Sequence, residues 1–189
     1  MPMKNLKKIP FLSAAFIIAI GVMTVAAAVQ LSGAIWTTDV AGQPVNQNQY
    51  ENKVDVYLNG GPNNANSPGL PAGDYYFQVT SPNGSVLLST DPAECRQVTV
   101  NSSGRFAGLS AAVPNTCTYR IQNMAADFGT TVQLYPYDNT PNNGGVYKVW
   151  LIKKSDATID PDDDRYLIFP NSSANTDNFK VLHPDPIFD

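Results

Sequence analysis

Three carboxylates at alternate positions, Asp160, Asp162 and Asp164, are the place in this 189-residue chain where residue type and spacing best suit a metal ion. At i, i+2 and i+4 a loop can turn all three toward a hard cation such as calcium. The rest of the calcium-loop pattern fails, because Arg165 stands where the turn needs glycine and Asn171 stands where a bidentate glutamate would close the site. Asp160, Asp162 and Asp164 are therefore a calcium candidate set against the plainer reading of a solvated acidic loop. Hydrolytic chemistry has less to work with. The chain holds two glutamates, Glu51 and Glu94, and one histidine, His183, with no Gly-x-Ser-x-Gly and no His-Glu-x-x-His. Gly60-Gly61-Pro62 is not followed by Gly-Lys-Ser/Thr, so it is no phosphate cradle. No catalytic residue, metal or cofactor is expected, and the chain is not read as an enzyme.

The N-terminus is organised for targeting. Lys4, Lys7 and Lys8 form a basic n-region, Phe11 to Val25 an apolar stretch, and Ala26-Ala27-Ala28 a small-residue cleavage signal. A retained anchor is the alternative, since residues 11–29 are long enough for a marginal membrane span. The small residues favour a signal peptide over 1–28. Its loss leaves nine basic residues against 16 acidic ones, a net charge of −7, which argues against a nucleic-acid partner. In the oxidising compartment that export implies, Cys95 and Cys117 are expected to pair. The bridge would close a loop of about 23 residues and contribute ~3.4 kcal/mol on the chain-entropy argument.

The elements that must position these groups read as strands. Tyr75, Phe77 and Val79 alternate with Tyr76, Gln78 and Thr80. Asn83-Gly84 then reads as a type I′ hairpin turn with Ser85–Thr90 as the return strand. Further strands are expected over 31–38, 53–58, 95–100, 117–121, 130–137, 145–153, 166–169 and 178–181, with a short helical turn near 107–112. Pro136 belongs at a strand end, since it cannot donate to a ladder. Trp36 reads as a core anchor. With 43% hydrophobic and 15% charged residues, one core is expected, in a domain over 29–182 followed by a tail over 183–189.

Leu70-Pro-Ala-Gly-Asp-Tyr75 resembles the Leu-Pro-x-Gly-x-Tyr signature of the Cna B-type, SdrD B-like and carboxypeptidase-regulatory-like (transthyretin-like) modules. The resemblance extends over Gly33–Thr38, Lys53–Pro62, Leu88–Arg96, Thr131–Leu134, Thr140–Trp150 and Thr176–Val181, roughly residues 31 to 181. It implies an all-β, Ig-like or prealbumin-like sandwich, mostly antiparallel, in a secreted or cell-surface bacterial protein. Some Cna B-type modules carry a Lys–Asn isopeptide bond. Lys53, Asn178 and a carboxylate such as Asp55, Glu51 or Asp177 supply the residue types here. The positions do not match, because the family's lysine lies in the first strand, where this chain has Ala34-Ile-Trp-Thr. The function expected is a structural or adhesion-type module that binds a protein or cell-surface glycan through loops and strand edges. A carbohydrate-binding module is the alternative, with Tyr57, Tyr76 and Trp150 as an exposed stacking surface.

Overall fold

The strict alternation around Tyr75 builds the middle of the molecule. In the computed structural model, which describes residues 31–62, 64, 66–117, 122–125 and 129–184, β4 (Gly73–Thr80) buries Tyr75, Phe77 and Val79 completely on one face. β4 pairs antiparallel with β9 (Val146–Lys153), whose Tyr147, Val149 and Leu151 continue that face. Outward from these run β5 (Gln97–Val100) and β6 (Phe106–Leu109) on one side. On the other side are β12 (Ala174–His183) and, parallel to it, β2 (Gln49–Asn52). The second sheet has the order β1 (Ala34–Thr38), β3 (Tyr57–Gly61), β8 (Gly129–Gln133), β7 (Gln122–Ala125), all antiparallel. Ile35, Leu58, Val132 and Leu134 of this sheet and its flank join the inner face of the first in one core. Thus the chain is all-β with mostly antiparallel sheets, as expected. Helix among the described residues is confined to short 3-10 turns, and no helix there is long and apolar enough to cross a membrane. The expected leader, 1–28, lies outside the described residues, as do 118–121 of the expected Cys117 strand.

The Leu70–Tyr75 motif has a specific job. Tyr75 turns its hydroxyl back to donate to the Pro71 carbonyl at 2.6 Å, tying the entry of β4 to its first turn. Burial, with a smaller contribution from Asp156, pushes this phenol up to about 12, so it remains a donor at neutral pH. Tyr75→Phe should remove about 1–2 kcal/mol, since it orphans that carbonyl while keeping the ring. Urea denaturation against the parent checks this.

The opposite face of β4 is buried too. Tyr76, Trp150 and Ile152 are covered by Ala93 and by Leu167, which belongs to a small hairpin of β10 (Thr158–Ile159) and β11 (Leu167–Ile168). Tyr57 is 7% exposed, Tyr76 7% and Trp150 9%, which corrects their reading as an exposed stacking surface. Tyr166 is the one aromatic among the large exposed apolar side chains of the described residues.

Several expected elements take another form. The turn after β4 is not type I′: Ser81 O accepts from Gly84 N at 2.9 Å, with Pro82 and Asn83 between them and Gly84 alone at positive φ (+80°). Pro82 imposes this, since its fixed φ suits the first central position of a type I turn and excludes the I′ form. Residues 85–90 return as isolated bridges, Thr80 to Leu87 and Ser89 to Tyr137, because β5 and Arg96 already take that edge of β4 from Gly73 to Phe77. Lys53–Asp55 is a 3-10 turn, so Val54 leaves the Val56 and Leu58 face. Ala93–Cys95 is likewise 3-10, and β5 begins at Gln97. The helical turn near 107–112 is instead β6, its Leu109 paired with Val98. Pro136 follows the end of β8, and β12 runs on through His183 into the expected tail. Gly84 also sets a steric limit, since a Cβ there would sit 2.9 Å from Cζ2 of Trp150. Gly84→Val should cost about 2–4 kcal/mol from left-handed strain plus overpacking. A variant melting with the parent would exclude this turn.

Candidate functional site

The acidic loop does not gather Asp160, Asp162 and Asp164 into one group. Asp160 Oδ1 accepts the Asp162 backbone N–H at 2.8 Å, and Asp160 N donates to Tyr166 O across the turn that joins β10 to β11. Asp163, not an alternate carboxylate, meets Arg165 in a two-bonded pair at 2.8 and 2.9 Å. That pair holds the exposed Asp163 carboxyl below its usual range. The Asp164 carbonyl accepts from Ala93 N at 2.8 Å. Among the described residues no three His, Cys, Asp or Glu side chains gather into a metal-holding group.

Cys95 and Cys117 are bridged, with Cα atoms 5.6 Å apart, as expected. Lys53 and Asn178 are not brought together. Lys53 Nζ donates to the Tyr137 carbonyl at 3.2 Å and lies over that ring, 5.7 Å from its centroid. Asn178 is exposed and faces Lys148 in the β12–β9 ladder. The carboxylates considered beside them divide, Asp177 turning inward while Glu51 and Asp55 lie at a surface cleft.

That cleft is built from three separated stretches. β1 ends in a turn held by Asp39, whose Oδ1 accepts the N–H groups of Ala41 and Gln43, both at 2.9 Å. The Val40 carbonyl is bound by Thr131 Oγ1 and Asn123 Nδ2, which leaves the Val40 side chain outside. The chain returns along the β1 edge, where Gln47 N donates to Thr37 O at 3.0 Å, and enters β2. The 3-10 turn after β2 lifts Val54 and Asp55 beside Tyr57, and Leu182 of β12 closes the far side. The space enclosed is about 540 Å³. Val40, Val54 and Leu182 are 45%, 48% and 42% exposed, three of the six large apolar side chains exposed among the described residues. Asp39, Glu51 and Asp55 rim them, with no lysine or arginine among the described lining residues.

A buried polar cluster supports the floor. Tyr50 donates its hydroxyl to Gln47 O at 2.7 Å, and burial raises that phenol far above its ordinary value. Thr37 Oγ1 lies 2.8 Å from the same carbonyl and 3.1 Å from Asp177 Oδ2, which also accepts Thr37 N at 2.7 Å. One hydroxyl proton cannot serve two acceptors fully. Burial raises the Asp177 carboxyl, against the lowering effect of the Thr37 and Asn178 hydrogen bonds, and a protonated Asp177 would donate to Thr37 Oγ1. Between the ordinary aspartate value and this raised one, the folded chain holds a proton that the unfolded chain has released. Stability therefore falls as pH rises through that window. Asp177→Asn should remove this slope, as urea midpoints measured from pH 4 to 7 will show; an unchanged slope would place it elsewhere.

Val40, Leu182, Asp39 and Tyr50 carried no signal in the sequence as site residues. Of the lining residues the sequence singles out Glu51, Asp55 and Tyr57, each for other chemistry. Comparison of the chain with family models, with curated proteins and with solved structures found no match.

Proposed function

We propose that this chain is an exported, non-catalytic binding module of Ig-like or prealbumin-like sandwich type, secreted or held at a cell surface, which engages a protein partner through the cleft beside β2. The observation that carries this reading is the gathering of Val40, Val54 and Leu182, exposed, around one concavity next to an edge strand. Exposed apolar side chains that converge mark interaction sites, whereas scattered ones need no explanation. Two features support the wider reading. The Cys95–Cys117 bridge suits an oxidising compartment. The Tyr75 hydroxyl returning to Pro71 O is the kind of tyrosine corner found in Ig-type sandwiches. Residues of the family signature thus have a structural use, and the partner contacts fall to loops and an edge.

A photo-crosslinking amino acid placed at Val54, compared with one at Val86, tests the site on cells that export the protein. Val86 is exposed but remote from the cleft lining. A protein adduct formed from position 54 and not from position 86 is expected. Equal yields, or none at 54, would overturn the reading. The same preparation should give a mature chain starting at Val29 with no titratable thiol.

A further inference from the structure

We propose that the cleft takes an extended, basic segment of a partner protein, in which Lys or Arg alternates with aliphatic residues, and that this segment adds as a strand to the open edge of β2. The proposal rests on the reading of the cleft as the partner site and names what it recognises.

Three observations meet there. β2 ends its sheet, paired only with β12, so its other edge has no ladder among the described strands. The pairing fixes which peptide groups are free. Lys180 N donates to Asn48 O at 2.9 Å, so residues 48, 50 and 52 turn toward β12, and the backbone groups of Gln49 and Glu51 face outward. Gln49 O is held by the Gln47 side chain at 2.9 Å, a contact an incoming N–H can replace. An extended peptide gains affinity from such main-chain groups and specificity from its alternate side chains.

Those side chains would meet two surfaces. Val40, Val54 and Leu182 offer apolar contact. Asp39, Glu51 and Asp55 offer three carboxylates that retain acceptor capacity. Asp39 uses Oδ1 and Asp55 uses Oδ2 within the chain, while Glu51 has only an exposed His183 3.5 Å away. Lys53 Nζ donates to the Tyr137 carbonyl, and Lys53 is not among the residues that line the cleft. An acidic or neutral segment would lack this complementarity.

The test uses the folded, disulfide-bonded protein and three fluorescent octapeptides, alternating Lys–Val, Lys–Ser and Glu–Val, followed by anisotropy. Lys–Val should bind at least about tenfold more tightly than the others. Its affinity should fall steeply between about 0.01 M and about 1 M salt, as the Debye length shrinks from about 30 Å to about 3 Å. Amide hydrogen exchange at Gln49 and Glu51 should slow when it is bound. The triple variant D39N/E51Q/D55N should lose about tenfold in affinity. D160N/D162N/D164N, with the same change in net charge at a distant loop, should lose almost none. Equal losses in the two variants, Lys–Ser binding as well as Lys–Val, or unchanged exchange at β2 would overturn the proposal. Should the Val54 adduct form without being competed by Lys–Val, the cleft remains a partner site and only its proposed occupant is wrong. With no Val54 adduct, the site reading fails as well.

Discussion

Phe179→Ala should destabilise the chain by about 3–5 kcal/mol, the range for emptying a buried aromatic site. Phe179 is 1% exposed and stacks on Tyr147, with ring centroids 5.3 Å apart and planes within 11°. It also meets Tyr137 edge-on at 5.9 Å and Tyr50 at 6.2 Å. It sits on β12, the strand that joins β2 to the rest of its sheet, so its loss acts in two places. The core loses a large side chain and several aromatic contacts, each contributing about 0.5–1.5 kcal/mol beyond buried area. Tyr50, the floor of the cleft, loses its packing partner and with it the reason for β2 to stay docked. Against a domain stability of about 5–15 kcal/mol, this is a large fraction. Urea denaturation should show a lower midpoint, with faster amide exchange in residues 49–52 before global unfolding. A loss under about 1 kcal/mol would mean that the cluster does not hold β2.

Asp91→Ala should be similarly severe, for a different reason. Arg96 is fully buried, its Nε 3.7 Å from Asp91 Oδ1, and its Nη2 donates to the Arg165 carbonyl. Burial, helped by the charge of Arg165, draws the guanidinium down to about 9, which still leaves it protonated at neutral pH. Removing Asp91 strands a buried cation, and breaking such a pair from one side costs about 3–5 kcal/mol. The double change Asp91→Leu with Arg96→Met should recover most of that, because an apolar replacement of both partners removes the desolvation penalty together with the attraction. Equal losses in the single and double variants would show that shape, not charge, matters here. Since Arg96 follows Cys95 and grips the loop of Asp160 to Arg165, Asp91→Ala should also loosen the acidic loop. That loop is thus an anchored turn in which the Asp160 and Asp163 carboxylates serve its own backbone and Arg165.

Local pattern was enough where a strand has one apolar face and no rival partner. β4 and β9 could be read almost to their ends, because Tyr75-x-Phe-x-Val79 and Tyr147-x-Val-x-Leu151 keep period two throughout. β2 could not. Gln-Tyr-Glu-Asn is polar, and it becomes a strand only because β12 offers it a parallel edge and Phe179 receives Tyr50. β6 looks helical in the sequence because Ala, Gly and Leu carry little β preference, and pairing with β5 overrides propensity there. Arg96 looks like a surface charge until the turn of the β10–β11 hairpin meets it through the Arg165 carbonyl.

What the sequence by itself determined, then, is what depends on near neighbours or on scarcity: the alternating central strands, the Pro82 and Gly84 turn position, and the Cys95–Cys117 pair, the only one two cysteines allow. The tertiary structure alone decided which second faces are covered and where a site can form. The period of two in β4 and β9 places Tyr76 and Trp150 on the outer face but cannot say that residues 158–168 return to bury it. The cleft depends even more on distance in the chain. Residues 39–40, 49–57 and 182 meet because β2 pairs with β12 across more than 120 residues. Such a meeting is selected by the total free energy of packing two sheets, and no local pattern records that sum.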